Sequence, residues 1–307
     1  MAPKILIGPS SFGEADDLPL KILSDSGMSV VDNPYKRRLT EIELRDLLTE
    51  DKDIIGIIAG LEPLNRGVLQ DSSLKVISRC GSGLSNVDLE AAKDFEIKVF
   101  YTPDGPMVAV AELTIGALIA LMRSVPLMDR SMRAHEWNKI MGYQLRGKKV
   151  AVVGFGLIGQ EVSRLLGSLG AEVLAVDPAF GDEVEGVPIF PLDEVITYVD
   201  VITLHASGES VILGEAQFQA MKDGVFVLNS ARGELIEESA LINALDKGKV
   251  AGAWIDAFWK EPYIGPLLDY DQVIVTPHVG SYSREGRIRM ETEAVENLLA
   301  GFEGLRG

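Results

Sequence analysis

Arg232, Glu261 and His278 each stand just beyond an apolar run that reads as a β-strand, at 225–229, 250–255 and 272–275. Their types divide the work of carbonyl–hydroxyl chemistry. Histidine changes charge near neutral pH, so His278, in Thr276-Pro277-His278, can take or give a proton at a reacting oxygen. A carboxylate such as Glu261 beside it would hold the ring in one tautomer and favour imidazolium. The planar fork of Arg232 suits a substrate carboxylate at two points. Singly, each side chain is as well explained as a structural histidine, a loop acid or a surface ion pair. Their shared placement is what matters, because the carboxyl ends of parallel strands lie on one side of a sheet, where open α/β sheets bind ligands.

Proton transfer alone does not oxidise or reduce a carbon, and a second motif supplies what is missing. Residues 148–153 form an apolar run, and Gly154-Phe155-Gly156-Leu157-Ile158-Gly159 follows directly. This is G-x-G-x-x-G between a strand and a helix. The first glycine allows the tight turn, the second lets a pyrophosphate approach the backbone, and the third lets helix and strand pack closely. Unpaired N–H groups at the helix start then face the phosphates. The next strand, 172–176, ends in Asp177, about 20 residues past the glycines, where an acid meets ribose hydroxyls. Pro178, Ala179, Phe180, Gly181, Asp182 and Glu183 follow, with no cation for a 2′-phosphate. The sequence therefore points to NAD rather than NADP.

These groups need a scaffold, and strand-like and helix-like segments alternate along the whole chain, the pattern of parallel α/β sheets. Strands are expected at 4–8, 54–59, 74–78 and 97–101, with helices at 18–27, 41–48 and 87–95. A long helix near 110–123 and a polar connection at 135–142 lead to a second series, with strands at 149–153, 172–176, 199–204, 225–229, 250–255 and 272–275. The last segment, 284–302, sets Ile288, Val295, Leu298, Leu299 and Phe302 along one helical face. The expected fold is thus α/β, with two Rossmann-like, doubly wound parallel-sheet domains.

The 307 residues leave room for two real cores. A formal charge of −17 argues against non-specific binding to nucleic acid or anionic membranes. The lone Cys80 forms no internal disulfide and supplies no metal cluster, so no metal is expected. The start of the chain is strand-like rather than an apolar signal segment, and a cytoplasmic location is expected. The apolar stretch 108–122 contains Glu112 and Thr114, is too short to span a bilayer, and reads as a core or subunit-interface helix.

In this order the motifs resemble one family closely. Gly154–Gly159 with Asp177, Asn229-x-x-Arg232-Gly233, Asp256-x-Phe258-x-x-Glu261-Pro262 and Thr276-Pro277-His278 are similar to those of the D-isomer-specific 2-hydroxyacid dehydrogenases. The likeness runs from about Leu74 to the end of the chain and, more weakly, to its start. It implies a catalytic set of Arg232, Glu261 and His278. It implies a discontinuous substrate domain, 1–102 with 284–307, around an NAD-binding domain at 103–283. Cofactor contacts are implied at Gly154, Gly156, Leu157, Ile158, Gly159, Asp177, Ser230, Ala231, Asp256 and Gly280. Substrate contacts are implied at Arg232 and at Gly81 and Ser82, in the turn Arg79-Cys80-Gly81-Ser82-Gly83. A homodimer acting on a small 2-hydroxy or 2-oxo acid follows, with His205 structural or cofactor-lining.

The chain also departs from the family. Residues 103–112 keep Val110-Ala111-Glu112 but lack the usual Asn and Ser before it. The segment Ala206-Ser207-Gly208-Glu209 is shorter than usual, and Ala59-Gly60-Leu61-Glu62-Pro63 lacks the arginine or serine many members carry. The general look is phosphoglycerate-dehydrogenase-like, and feedback through a regulatory domain of the kind larger relatives carry is not expected. The cations considered for a phosphate are Lys36, Arg37, Arg38 and Arg133. Glu261, where formate oxidation would call for Gln, disfavours that reaction. Phosphite oxidation stays open, as does an NAD-sensing, corepressor-like binding role. The cofactor expectation is directly measurable: NADH should exceed NADPH in kcat/KM by at least ~100-fold, and Asp177→Ala should narrow the ratio. Equal use of both cofactors by the unaltered chain overturns it.

Overall fold

The computed structural model describes residues 3–303 apart from Glu185 and Glu209, so Glu209 in the shortened segment and residues 1, 2 and 304–307 lie outside the described residues. The chain divides into two compact units, one running to Pro106 and resuming at Ser281, the other Met107–Gly280.

The first unit is built on five parallel strands: β1 (Lys4–Ile7), β2 (Ser29–Asp32), β3 (Ile54–Ala59), β4 (Val76–Arg79) and β5 (Lys98–Tyr101), in the order β2-β1-β3-β4-β5. The runs Lys4-Ile5-Leu6-Ile7 and Ile54-Ile55-Gly56-Ile57-Ile58-Ala59 are apolar without alternation, as strands covered on both faces must be. Helices α2 (Glu41–Glu50), α3 (Arg66–Gln70) and α4 (Leu89–Asp94) pack on one face through Leu44, Leu48, Val68, Leu69 and Ala91. Each begins at a side-chain cap, from Thr40, Asn65 and Asp88. On the other face, α1 (Leu18–Asp25) and α11 (Arg284–Glu303) bury Leu23, Met290, Ala294, Val295, Leu298 and Phe302. The buried stripe of α11 thus passes through Met290 and Ala294. Ile288, expected on that stripe, is only half-buried, and Leu299 packs at its margin. Strand β2 was not expected: it holds only two apolar residues and lies at the sheet edge, where little burial marks it in sequence.

The second unit carries six parallel strands, β6 (Lys149–Val153), β7 (Glu172–Val176), β10 (Val201–Leu204), β11 (Val225–Asn229), β12 (Val250–Ile255) and β13 (Val273–Val275), ordered β13-β12-β11-β10-β6-β7. A small antiparallel hairpin, β8 (Glu183–Val184) and β9 (Val187–Pro188), follows β7. Helices α5 (Met107–Met122) and α7 (Leu157–Ser168) cover one face, with Leu118, Leu121, Val162 and Leu166 in the core. Helices α8 (Leu192–Val195), α9 (Glu215–Ala220) and α10 (Glu238–Asp246) cover the other, with Phe218, Leu241 and Leu245 buried. The apolar stretch near 108–122 is the core helix α5, stopped by Ser124 in a left-handed conformation. A further helix, α6 (Val125–Arg133), not expected from the sequence, follows the break; it is amphipathic yet has no buried residue. No single helix among the described residues is long and apolar enough to cross a membrane. Both sheets are doubly wound, as expected, and the strand order reverses between β6 and β10, which opens a crevice at their carboxyl ends.

The lone thiol reports on the first unit. Cys80 is 4% exposed, and burial pushes its thiol up to about 12. Unfolding returns the group to its ordinary value of 9.0, so the unfolded chain releases the proton first and stability falls as pH rises above about 9. At pH 8 a disulfide-exchange reagent should label the native protein far more slowly than the urea-unfolded chain, since the buried thiol forms little thiolate. Equal labelling rates would show that Cys80 is accessible.

Candidate active site

The glycine loop leaves β6 at the strand-order reversal. Gly154 has φ +91°, and a Cβ there would lie 2.2 Å from the Ala206 nitrogen in the segment that leaves β10. A Cβ on Gly159 would lie 2.0 Å from the Gly154 carbonyl oxygen, so the first turn of α7 fits only a glycine there. Gly156 is different. Its φ of −72° is open to any residue, and no protein atom lies within 4 Å of where its Cβ would stand. Nothing in the fold requires glycine at this position, and the space before it is where a pyrophosphate would approach. Gly156 is also the N-cap of α7 and offers no side-chain cap, which leaves the helix start to an anion. Leu157 is exposed and Ile158 half-buried at the same edge.

Asp177 follows the last residue of β7, beside the loop. Its Oδ2 accepts the Phe155 N–H at 2.8 Å and its Oδ1 the Ala179 N–H at 2.9 Å, which fixes the carboxylate at the loop mouth. The residues present therefore fit a dinucleotide: a helix start without a side-chain cap, an open glycine and a held acid. His205, at the end of β10, sets Nε2 2.9 Å from Thr203 Oγ1 and Nδ1 3.5 Å from Ser230 Oγ. Desolvation drops it well below the ordinary histidine value, and it stays neutral at physiological pH. Ser230 thereby stands on the same side of the sheet as Gly154.

At the end of β11, Asn229 makes the turn that presents Arg232. Its Oδ1 accepts the Ala231 N–H at 3.0 Å and its Nδ2 donates to the Arg232 carbonyl at 2.8 Å. The Arg232 Nη1 donates to the Ala231 carbonyl at 2.7 Å, and the side chain is half-buried. Beyond β12 and β13, the His278 Nδ1 lies 2.8 Å from Glu261 Oε1. A carboxylate oxygen can only accept here, so Nδ1 carries the proton and Nε2 is the ring nitrogen not engaged by Glu261. The two side chains keep 31% and 24% of their surface, shielded from bulk water yet reachable.

His278 occupies a left-handed conformation, φ +53°, uncommon for a residue with a side chain. Asp256, fully buried at the end of β12, holds it there. Its Oδ1 accepts the Thr276 hydroxyl at 2.5 Å and the Val279 N–H at 2.9 Å, and its Oδ2 accepts the Gly280 N–H at 2.8 Å. Both oxygens of this expected cofactor contact thus serve the turn. Sequence reasoning assigned no role to Asn229 or Thr276, although an Asn three residues before the arginine is a turn-former's spacing.

Gly81 and Ser82 lie in the first unit. The Gly81 N–H donates to Thr102 Oγ1 at 2.7 Å, Ser82 is exposed, and the Arg79 guanidinium folds into the space a Gly81 side chain would fill. Among the cations considered for a phosphate, Arg37 is bound at two points by Glu43, and Arg133 by Asp129 at 2.8 Å.

Comparison with known proteins agrees with this geometry. Residues 115–280 match the family model for the D-isomer specific 2-hydroxyacid dehydrogenase, NAD binding domain. A D-3-phosphoglycerate dehydrogenase of Pongo abelii is 37% identical over 312 residues, 98% of this chain and 57% of that one. The chain thus spans little more than half the length of this curated relative. Among solved structures, the TT0316 protein of Thermus thermophilus superposes with a TM-score of 0.88 at 32% identity, covering 98% of this chain and 97% of that one. A glyoxylate reductase from Paecilomyes thermophila gives 0.87 at 27% identity, covering 98% and 96%. With a family model matching more than half of its length and the motifs assembled at one sheet edge, the chain belongs to the D-isomer specific 2-hydroxyacid dehydrogenase family and carries that family's NAD-binding domain.

Proposed function

We propose that the protein is an NAD-dependent oxidoreductase acting at C2 of a small 2-hydroxy or 2-oxo acid. The observation that carries this is the 2.8 Å contact of His278 Nδ1 with Glu261 Oε1, in the same unit as the Gly154–Gly159 loop. Bound NAD supplies the hydride acceptor, or as NADH the donor. Arg232 grips the substrate carboxylate at two points and orients the reacting carbon. In oxidation, His278 Nε2 removes the hydroxyl proton; in reduction it returns a proton to the forming alkoxide. Glu261 holds the Nδ1 proton and balances the imidazolium charge. Neutral His205, between Thr203 and Ser230, lines the cofactor side without titrating.

The substrate is proposed only as a class. 3-Phosphoglycerate is one candidate because the matched relatives bear its dehydrogenase's name, but two of the four cations considered for its phosphate are committed to ion pairs. We also propose a homodimer. Met132, Trp137 and Met141 are 51%, 76% and 94% exposed in the second unit, more apolar surface than one short segment ordinarily leaves to water.

A panel of 2-oxo acids, including glyoxylate, pyruvate and phosphohydroxypyruvate, followed by NADH absorbance, tests the activity. Turnover of none, with NADH bound tightly, would favour the sensor role. With the best acid, His278→Ala should lower kcat by roughly 10²–10⁴-fold while NADH affinity holds, because only proton transfer is removed. Arg232→Lys should fail nearly as badly, since an ammonium lacks the planar fork. Glu261→Gln should move the acid limb of the oxidation profile to lower pH, because imidazolium has lost its counter-ion. Near-normal kcat/KM for folded His278→Ala would end this mechanism.

A further inference from the structure

Glu261 sits in an irregular segment between the end of β12 at Ile255 and a 3-10 turn at Pro266–Asp269. Such segments are mobile unless tied down, yet the dyad needs Glu261 held to within a fraction of an ångström. The tie runs through Tyr263. Its hydroxyl donates to Glu238 Oε1 at 2.5 Å, in the first turn of α10, and accepts the Leu267 N–H at 3.2 Å. Its ring stacks on Phe258, centroids 4.5 Å apart and planes 19° apart. The backbone N–H of Phe258 donates to Glu261 Oε1 at 3.2 Å, the same oxygen that binds His278. Gly265 allows this seating, since a Cβ there would lie 2.3 Å from the Tyr263 ring. Trp259 fastens the opposite edge, its Nε1 donating to the Ile236 carbonyl at 2.6 Å.

We propose that Tyr263 is a positioning residue for the proton-transfer dyad: bonded to Glu238 and stacked on Phe258, it fixes Glu261 Oε1 against His278 without touching substrate. The inference rests on the dyad role proposed above. Burial first, and Glu238 second, push the phenol up to about 12, so it remains a donor throughout the working pH range. The charged groups around the two ends are Glu238 at the tyrosine, and Glu261 and the Asp256 carboxylate at the His278 turn.

The test compares Tyr263→Phe and Glu238→Ala, alone and combined with Glu261→Gln, in the full chain. Tyr263→Phe keeps the ring and removes only the bond. Each single variant should lower kcat about 10-fold with KM for the acid nearly unchanged. Each should also move the acid limb of the oxidation profile in the direction of Glu261→Gln. In the Glu261→Gln background, adding either should cost less than about 2-fold, because the group being positioned is already gone. Equal losses in both backgrounds, or losses that only track Tm, would make Tyr263 merely structural and overturn the proposal. An unmoved profile in Glu261→Gln itself would overturn it from below, by removing the dyad; a moved profile there with none in Tyr263→Phe refutes the tether alone. Should Tyr263→Phe fold poorly, Glu238→Ala removes the acceptor of the same bond from the helix side and is judged by the same cycle.

Discussion

The site depends on one buried carboxylate. Placing the Asp256 side chain out of water is costly unless its oxygens are satisfied, and here three donors satisfy them: a hydroxyl and two backbone N–H groups. All three come from the turn that follows β13. The same residue's backbone joins two strand ends, its N–H donating to the Asn229 carbonyl and its carbonyl accepting the His278 N–H. The turn cannot relax without leaving buried oxygens unpaired. That is how a histidine stays at positive φ, and how Arg232 and His278 come to share one framework although they arise from different strands.

The glycine loop follows a different logic. Gly154 and Gly159 are glycines because the protein itself is in the way of a side chain, from the segment after β10 and from the loop's own carbonyl. Gly156 is glycine although the protein leaves the space empty. Packing explains the first two, and the third leaves open the space that the proposed dinucleotide would enter. Both rely on the reversal of strand order between β6 and β10, which keeps the crevice open.

In a chain with a formal charge of −17, several of the arginines are paired with carboxylates. Arg232 is held by its own backbone turn and has no carboxylate partner among the described residues, whereas Arg37, Arg45, Arg66 and Arg133 are paired with Glu43, Asp71, Asp94 and Asp129. An arginine left to backbone carbonyls keeps its fork available to an incoming carboxylate.

The sequence by itself determined the class of fold, the position of the glycine loop, the acid after β7 and the three strand-end side chains. These are local or periodic facts: buried parallel strands are continuously apolar, a dinucleotide turn needs glycines at fixed spacing, and a residue after a strand must emerge at the sheet edge. It missed β2, which buries too little to leave a pattern, and α6, which is amphipathic but buries no residue, and it placed Ile288 on a stripe that runs instead through Met290 and Ala294. Only the tertiary structure decided that Asp256 is spent on the His278 turn, that Asn229 shapes the Arg232 turn, and that Tyr263 reaches Glu238 on another element. Those are bonds between residues brought together by loop paths and rotamers, and no periodicity in the chain encodes which donor will meet which acceptor.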